Sequence, residues 1–455
     1  MSHTIAAIST PAAPAGIGVI RLSGDDAVAI ACRVFRAADP SRTLDRLDGY
    51  TAAYGHVFDA DGDIDDCVAL VFRAPHSYTG ENTVELSCHG GLYLLQRTLR
   101  ACLAAGAKPA TAGEFTRRAF IGGKMDLTQA ESVMELIAAD GRLAARTALA
   151  AREGATYRRL QGVKESLLAV AAQFGAFVDY PDEDIPELHT DTLADTIAEA
   201  KRAVAALLDT FDAGRVLREG IDTVIVGSPN VGKSTLMNCL AGCERSIVTD
   251  IAGTTRDVIE ETVRLGDVTL RLADTAGIRE TADRVETVGV SLARRRLAQA
   301  ALVLAVFDGS RALTDEDKAL AAATADAATI AIINKADENE RTDRAWLETH
   351  FDRVVTISAK NGDGIATLTE AVAKITGVER LAAAEPMLAT ERQRDCAARC
   401  FSCLDEAADA LSSGMTLDAV AVSLDGAIAA ILDLTGERTT EAVVDEVFAR
   451  FCVGK

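Results

Sequence analysis

The chain has no run approaching 18 consecutive apolar residues, and no basic segment precedes an apolar one near its start, where Pro11 and Pro14 fall instead. Those absences exclude a membrane-spanning helix and a secretory leader as readings of the sequence, and they lead us to expect a cytoplasmic protein. Aromatic residues are scarce at 4%, with a single Trp. Packing must then come from Ala, Leu and Val, which favours helices as the bulk architecture. Positive charge is also short, with 47 Lys and Arg against 68 Asp and Glu and a net charge of −21. Tight unaided binding to a polyphosphate backbone is therefore not expected. Ten cysteines are scattered over 455 residues in no framework pattern, which fits reduced thiols in the cytosol. What is present is an ordinary globular composition, 49% hydrophobic and 25% charged, and enough chain for about three domains at ~150 residues each.

The texture along the chain divides it into four segments. Residues 1–120 carry short β-rich runs, among them Gly18–Ser23 and Val68–Phe72, with one helical stretch at Leu92–Leu103, and read as an α+β domain. In residues 121–218, Asp126 and Gln129 have the spacing of a capping box, and Leu127, Ala130, Val133 and Ile137 recur at helical spacing. That helix is expected to continue to about Phe177, with another over Asp191–Arg218 after the prolines 181 and 186. Residues 219–378 alternate β-branched runs with helical ones, the pattern of a mainly parallel sheet. Residues 379–455 are helical and Ala-rich again. The expected architecture is an all-α helical domain interrupted by an inserted α/β domain.

Gly227-Ser-Pro-Asn-Val-Gly-Lys-Ser234 follows the strand Thr223–Val226 and fits the phosphate-binding loop G-x-x-x-x-G-K-[ST]. Its glycines let N–H groups converge on phosphates, Lys233 can reach the β- and γ-phosphates, and Ser234 can offer a hydroxyl to Mg²⁺. Asp274-Thr275-Ala276-Gly277 supplies a carboxylate and a glycine N–H for the metal and the γ-phosphate. Asn334-Lys335-Ala-Asp337 places a carboxylate to accept two guanine N–H donors, and Ser358-Ala359-Lys360 supports the base. Four motifs in this order describe a P-loop GTPase domain. Ile278 stands where Ras-like enzymes carry a water-orienting Gln, so another polar group must take that task; Glu280, Asp283 and Glu286 are candidates that spacing does not separate. Asn230 can aim its amide oxygen at a monovalent cation, or it can simply shape the turn.

Gly253-Thr-Thr-Arg-Asp257, Pro229-Asn230 and Asp274–Glu280 resemble the TrmE-Era-type GTPases. Pro75–Glu81, Val84–Leu86, His89–Gly91, Gly113–Phe115, Arg118–Phe120, Lys124–Leu127, Gln129–Glu131 and the terminal Phe451-Cys-Val-Gly-Lys455 are similar to the MnmE (TrmE) family of tRNA-modification GTPases over essentially the whole chain. The resemblance implies an N-terminal tetrahydrofolate-binding domain that forms a homodimer, and a helical domain carrying the inserted G domain. It implies a heterotetramer with the FAD-containing protein MnmG, tRNA being met mainly through that complex. The chemistry implied is transfer of an aminomethyl-type (carboxymethylaminomethyl) group to carbon 5 of the wobble uridine, with K⁺-stimulated GTP hydrolysis and a folate one-carbon unit (5,10-methylene form, the 5-formyl form also being a ligand).

Carried over residue by residue, folate contacts are Arg21, Glu85, Lys124 and Lys455. The GTP site comprises Asn230, Val231, Gly232, Lys233, Ser234, Thr235, Thr249, Asp250, Ile251, Ala252, Gly253, Thr254, Thr255 and the three motifs after them. Mg²⁺ falls to Ser234 and Thr255, K⁺ to Asn230, Thr249, Ile251 and Thr254, water orientation to Glu286, and a possible thiol role to Cys452. Two alternatives carry their own signatures. An Era-like ribosome-assembly switch needs a basic appendage, yet residues 381–455 hold more than twice as many acids as bases. Cys396, Cys400 and Cys403 have the spacing of iron–sulfur ligands, but i, i+4, i+7 is also one face of a helix. His89 is read either as a packing or turn residue or as a neighbour of the ligand.

Overall fold

The structure, a computed structural model, describes residues 3–179, 190–243, 260–273, 300–381 and 386–455. Its contacts divide the chain into two compact units, one of Met1–Met134, Lys164–Ala194 and Ser402–Lys455, the other of Glu135–Val163 and Asp195–Phe401. Each unit thus contains part of the helical chain that flanks the inserted segment.

The first unit is built on seven strands: β1 (Ile5–Ile8), β2 (Ala15–Ser23), β3 (Phe35–Ala37), β4 (Thr51–Asp59), β5 (Gly62–Phe72), β6 (Thr83–Gly90) and β7 (Lys108–Pro109). They lie in the order β3-β4-β5-β6-β2-β1-β7, antiparallel except for the β1–β7 pair. Alternation sends Ile20, Leu22, Val57, Ala69, Val71, Val84 and Leu86 to one face, where the helices Ala27–Val34 and Leu92–Ala104 complete a core. The opposite face is covered near β1 by the helix Glu114–Ile121, whose buried Phe115 packs with Ile5 and Ala7. Elsewhere that face stays open: Ile17 on β2, Tyr54 on β4 and Val68 on β5 are exposed, and Tyr54 and Val68 are register partners.

The expected unbroken helix from Asp126 to Phe177 is instead three helices, Leu127–Ala138, Arg142–Arg152 and Ala155–Asp179. Gly141 is extended at the first break, and Gly154 takes a left-handed backbone (φ +85°) at the second, which a β-carbon would oppose. Apolar periodicity runs through both breaks because short Ala- and Arg-rich helices keep good propensity on either side of a glycine. The capping box is present: Asp126 N donates to Gln129 Oε1 at 3.0 Å and Gln129 N to Asp126 Oδ1 at 3.2 Å. Leu127, Ala130 and Val133 pack against Val444, Phe448 and Phe451, beside the C-terminal helix Glu441–Ala449.

In the second unit β8 (Ile221–Val226), β9 (Glu260–Leu265), β10 (Val268–Ala273), β11 (Leu302–Asp308), β12 (Thr329–Asn334) and β13 (Val354–Thr356) order as β13-β12-β11-β8-β10-β9. All pairs are parallel except β9–β10. Every residue of β11 and β12 is buried, as central parallel strands covered on both faces require. The phosphate loop and the base-reading segments leave the carboxyl ends of β8 and β12, the edge where open α/β sheets bind ligands. The edge strand β9 has no counterpart in the sequence reading, since Glu-Glu-Thr-Val-Arg-Leu shows only weak alternation.

Candidate functional site: a nucleotide edge and a C-terminal cradle

The phosphate loop turns from β8 into the helix Lys233–Cys243, placing Ser234 and Thr235 exposed in its first turn. Gly232 has φ +98°, and a β-carbon there would lie 2.2 Å from Asn334 Nδ2. No larger residue fits. Gly227 sits equally close to β11, its hypothetical β-carbon 2.5 Å from Val306 O. Asn230 is exposed and left-handed at φ +63°, a conformation Asn tolerates better than most residues. Lys233 Nζ donates to Gly227 O at 2.8 Å and Ser228 O at 2.9 Å, and partial burial lowers its pKa. A phosphate bound in the loop would compete for that ammonium with two loop carbonyls.

The base-reading segments are tied to this loop. Buried Asn334 donates from Nδ2 to Val231 O at 2.9 Å and accepts Ala359 N on Oδ1 at 3.0 Å, joining the loops after β8, β12 and β13 in one side chain. Asp337 is exposed, and the Ser358 hydroxyl donating to it at 2.7 Å holds its carboxyl below the usual carboxylate range. An ionised acceptor beside open solvent is what two guanine N–H donors require. Lys335 is left-handed (φ +68°), and its Nζ meets Asp308 Oδ2 at 2.6 Å. Ala359 is buried and Lys360 exposed. Thr249, Asp250, Ile251, Ala252, Gly253, Thr254, Thr255, Asp274, Thr275, Ala276, Gly277, Glu280, Asp283 and Glu286 lie outside the described residues.

A second constellation occupies the N-terminal sheet. Arg21 on β2 and Glu85 on β6 are register partners, and Arg21 Nε donates to Glu85 Oε1 at 2.8 Å. The guanidinium carbon lies 5.7 Å from the Tyr78 ring centre and 5.6 Å from that of Phe115. Lys124 Nζ donates to Pro75 O at 3.1 Å, on the loop that carries Tyr78. The C-terminal residues dock here: Phe115 N donates to Lys455 O at 3.1 Å, Gly113 N to Cys452 O at 3.3 Å, Ser9 Oγ to Gly454 O at 3.2 Å, and Ala112 bridges Val453. Gly454 has φ +97°, and a β-carbon would fall 2.4 Å from Ile8 O. Cys452 is exposed. His89 points away from packing: its ring is 68% exposed and its Nδ1 lies 2.8 Å from Asp65 Oδ1, a pairing that raises its pKa.

Cys396, Cys400 and Cys403 lie on the single helix Glu391–Ser412, the first two buried. Among the described residues no group of three or more His, Cys, Asp or Glu side chains could hold a metal ion, and no helix is long and apolar enough to cross a membrane.

A family model described as GTP-binding protein TrmE N-terminus matches residues 4–124, and one described as MnmE helical domain matches residues 127–452. The tRNA modification GTPase MnmE of Chloroflexus aurantiacus is 42% identical over 100% of both chains. The chain belongs to the MnmE family. The protein of the same name from Latilactobacillus sakei is 39% identical over 99% of this chain and 98% of its own. The G domain of the T. maritima FeoB iron transporter matches 34% of this chain and 98% of that one at 25% identity and a TM-score of 0.27. This MnmE-family chain is therefore a GTPase, with an α+β N-terminal domain, a helical domain and an inserted α/β P-loop domain.

The aromatic pair Tyr78 and Phe115 around Arg21, and the clamp made by Asn334, are absent from the sequence reading. Neither has a local signal. Each depends on side chains far apart in the chain.

Proposed function

We propose that this GTPase, as a homodimer in a heterotetramer with the FAD-containing MnmG, adds an aminomethyl-type (carboxymethylaminomethyl) group to carbon 5 of the wobble uridine of certain tRNAs, using a tetrahydrofolate one-carbon unit. The observation that carries the reading is the C-terminal residues docked on Phe115 and its neighbours, the Phe115 ring lying 5.6 Å from the guanidinium of the Arg21–Glu85 pair. The donor set suits a reduced pterin: a carboxylate for ring N–H groups, aromatic side chains on the same wall, and the cations Lys124 and Lys455 for a folate's glutamate tail. The open sheet face bearing Ile17, Tyr54 and Val68 supports dimerisation through this domain, with the Arg21–Glu85 pair beside it.

At the nucleotide edge, Ser234 with Thr255 would hold Mg²⁺. Asn230 with Thr249, Ile251 and Thr254 would hold K⁺, and Glu286 would orient water. The exposed Ser234 at a helix start and the exposed, left-handed Asn230 fit those assignments. A cation held there would supply positive charge to the transferring phosphoryl group, a task worth ~10³ or more in rate where an arginine performs it. Cys452, exposed beside the cradle, is available as a nucleophile or proton donor.

The test is reconstitution with MnmG, unmodified tRNA, GTP, 5,10-methylenetetrahydrofolate, and glycine or ammonium, reading wobble nucleosides by mass spectrometry in KCl and in NaCl. Modified uridine is expected only with folate and MnmG both present, and fastest in KCl. Product formed equally without folate removes the one-carbon assignment, and equal GTPase rates in the two salts remove the K⁺ assignment.

A further inference from the structure

Asp317 lies outside every nucleotide motif, yet it is 1% exposed and takes donors from three residues in two separate stretches of chain. Thr314 N donates to Oδ2 at 2.9 Å and Asp317 N donates back to Thr314 Oγ1 at 3.3 Å, closing the capping box of the helix Asp315–Ala323, and the Thr314 hydroxyl adds a bond to Oδ2 at 2.8 Å. Arg311 also donates to Oδ2, at 2.8 Å. The other oxygen, Oδ1, accepts at 2.7 Å from the hydroxyl of Ser228, which is the second residue of the phosphate loop and 89 positions away. Helix capping accounts for the bonds with Thr314 and explains neither the Arg311 nor the Ser228 contact.

The chain of charges continues. Arg311 Nε is 3.9 Å from Asp308 Oδ2, and that oxygen accepts Lys335 Nζ at 2.6 Å. Ser228 is thereby linked through Asp317, Arg311 and Asp308 to Lys335 of the base-reading segment. Ser228 and Gly227 are also the residues whose carbonyls receive Lys233 Nζ, so their placement decides where that ammonium stands.

We propose that Asp317 is a positioning residue for GTP binding, acting through the Ser228 hydroxyl to hold the phosphate loop in register with Lys335. Burial alone would raise its pKa, but Arg311, the Thr314 N–H and Ser228 hold it down to about 2, so the tether is anionic at every working pH. A hydrogen bond to a charged group of this kind corresponds to about tenfold or more in an equilibrium. The loop surrounds phosphates in the ground state and the transition state alike, so losing the tether raises KM and leaves kcat in place.

The experiment uses the full chain and four variants: Ser228→Ala, Ser228→Thr, Asp317→Asn, and the double variant Ser228→Ala/Asp317→Asn. We expect Ser228→Ala to weaken binding of a fluorescent GTP analogue and raise KM about tenfold, with kcat within about twofold of wild type. Its thermal midpoint falls modestly, because one oxygen of a buried carboxylate loses its donor, and Ser228→Thr restores the midpoint and both constants. In the Asp317→Asn background the Ser228→Ala change has a smaller effect, because the two residues share one interaction. Wild-type affinity in Ser228→Ala, failure of Ser228→Thr to restore binding, or an undiminished Ser228→Ala effect beside Asp317→Asn would overturn the proposal.

Discussion

Asp337 shows how much of the chemistry rests on single side chains. Its carboxylate is exposed, held in the ionised form by Ser358, and set at the end of β12, where an incoming base can reach it. A site built to accept two N–H donors rejects a base lacking them by ~10⁴-fold or more. Asp337→Asn is therefore expected to lose GTP and gain xanthosine triphosphate, measured by competition for the bound nucleotide; unchanged GTP affinity would remove Asp337 from the base site. Motif spacing is enough to disclose this residue, because the carboxylate and its strand are neighbours in sequence. Asn334 is different. Its position in the motif is legible, but its bonds to Val231 O and Ala359 N join stretches 103 and 25 residues away and are visible only in the fold.

At the scale of elements, the last four residues behave as a short docked strand end. They are held by groups of Ser9, Ala112, Gly113 and Phe115, and by a glycine, Gly454, whose left-handed backbone and contact with Ile8 leave no room for a β-carbon. Deleting residues 452–455 is expected to weaken folate binding about tenfold or more, as loss of a charge-assisted contact implies, and to abolish tRNA modification. Gly454→Ala, which misplaces the tail without removing Lys455, is expected to act in the same direction. GTP affinity stays near wild type in both, since every described tail contact lies in the first unit. Isothermal titration with folate and with GTP on each variant separates these outcomes, and a truncated chain that modifies tRNA at the wild-type rate would remove the tail from the site.

For the whole molecule, the open half of the N-terminal sheet carries the argument about assembly. Tyr54 and Val68 face each other across β4 and β5 and are 55% and 44% exposed, in a chain with few aromatic residues to spare. Covering such side chains is worth ~1.5–3 kcal/mol each when complete. The double substitution Tyr54→Asp/Val68→Asp is expected to weaken a dimer about a hundredfold or more while the thermal midpoint of the separate chain holds, because neither side chain belongs to the core. Light scattering over a dilution series reads this directly; a dimer as tight as wild type would place the interface elsewhere.

The sequence by itself determined the GTPase class, the alternation of strands and helices in the inserted domain, and the family, because each is written in residues adjacent along the chain or in periodicities a short window captures. It did not determine the breaks at Gly141 and Gly154, where one residue's backbone angle interrupts an otherwise continuous helical pattern. Nor did it reveal β9, whose place at the sheet edge depends on pairing with β10. The aromatic walls beside Arg21, the seat of the C-terminal tail and the line from Ser228 to Lys335 were decided by tertiary structure alone. All three join residues dozens to hundreds of positions apart, and such contacts form only when the strands and helices that carry them have packed.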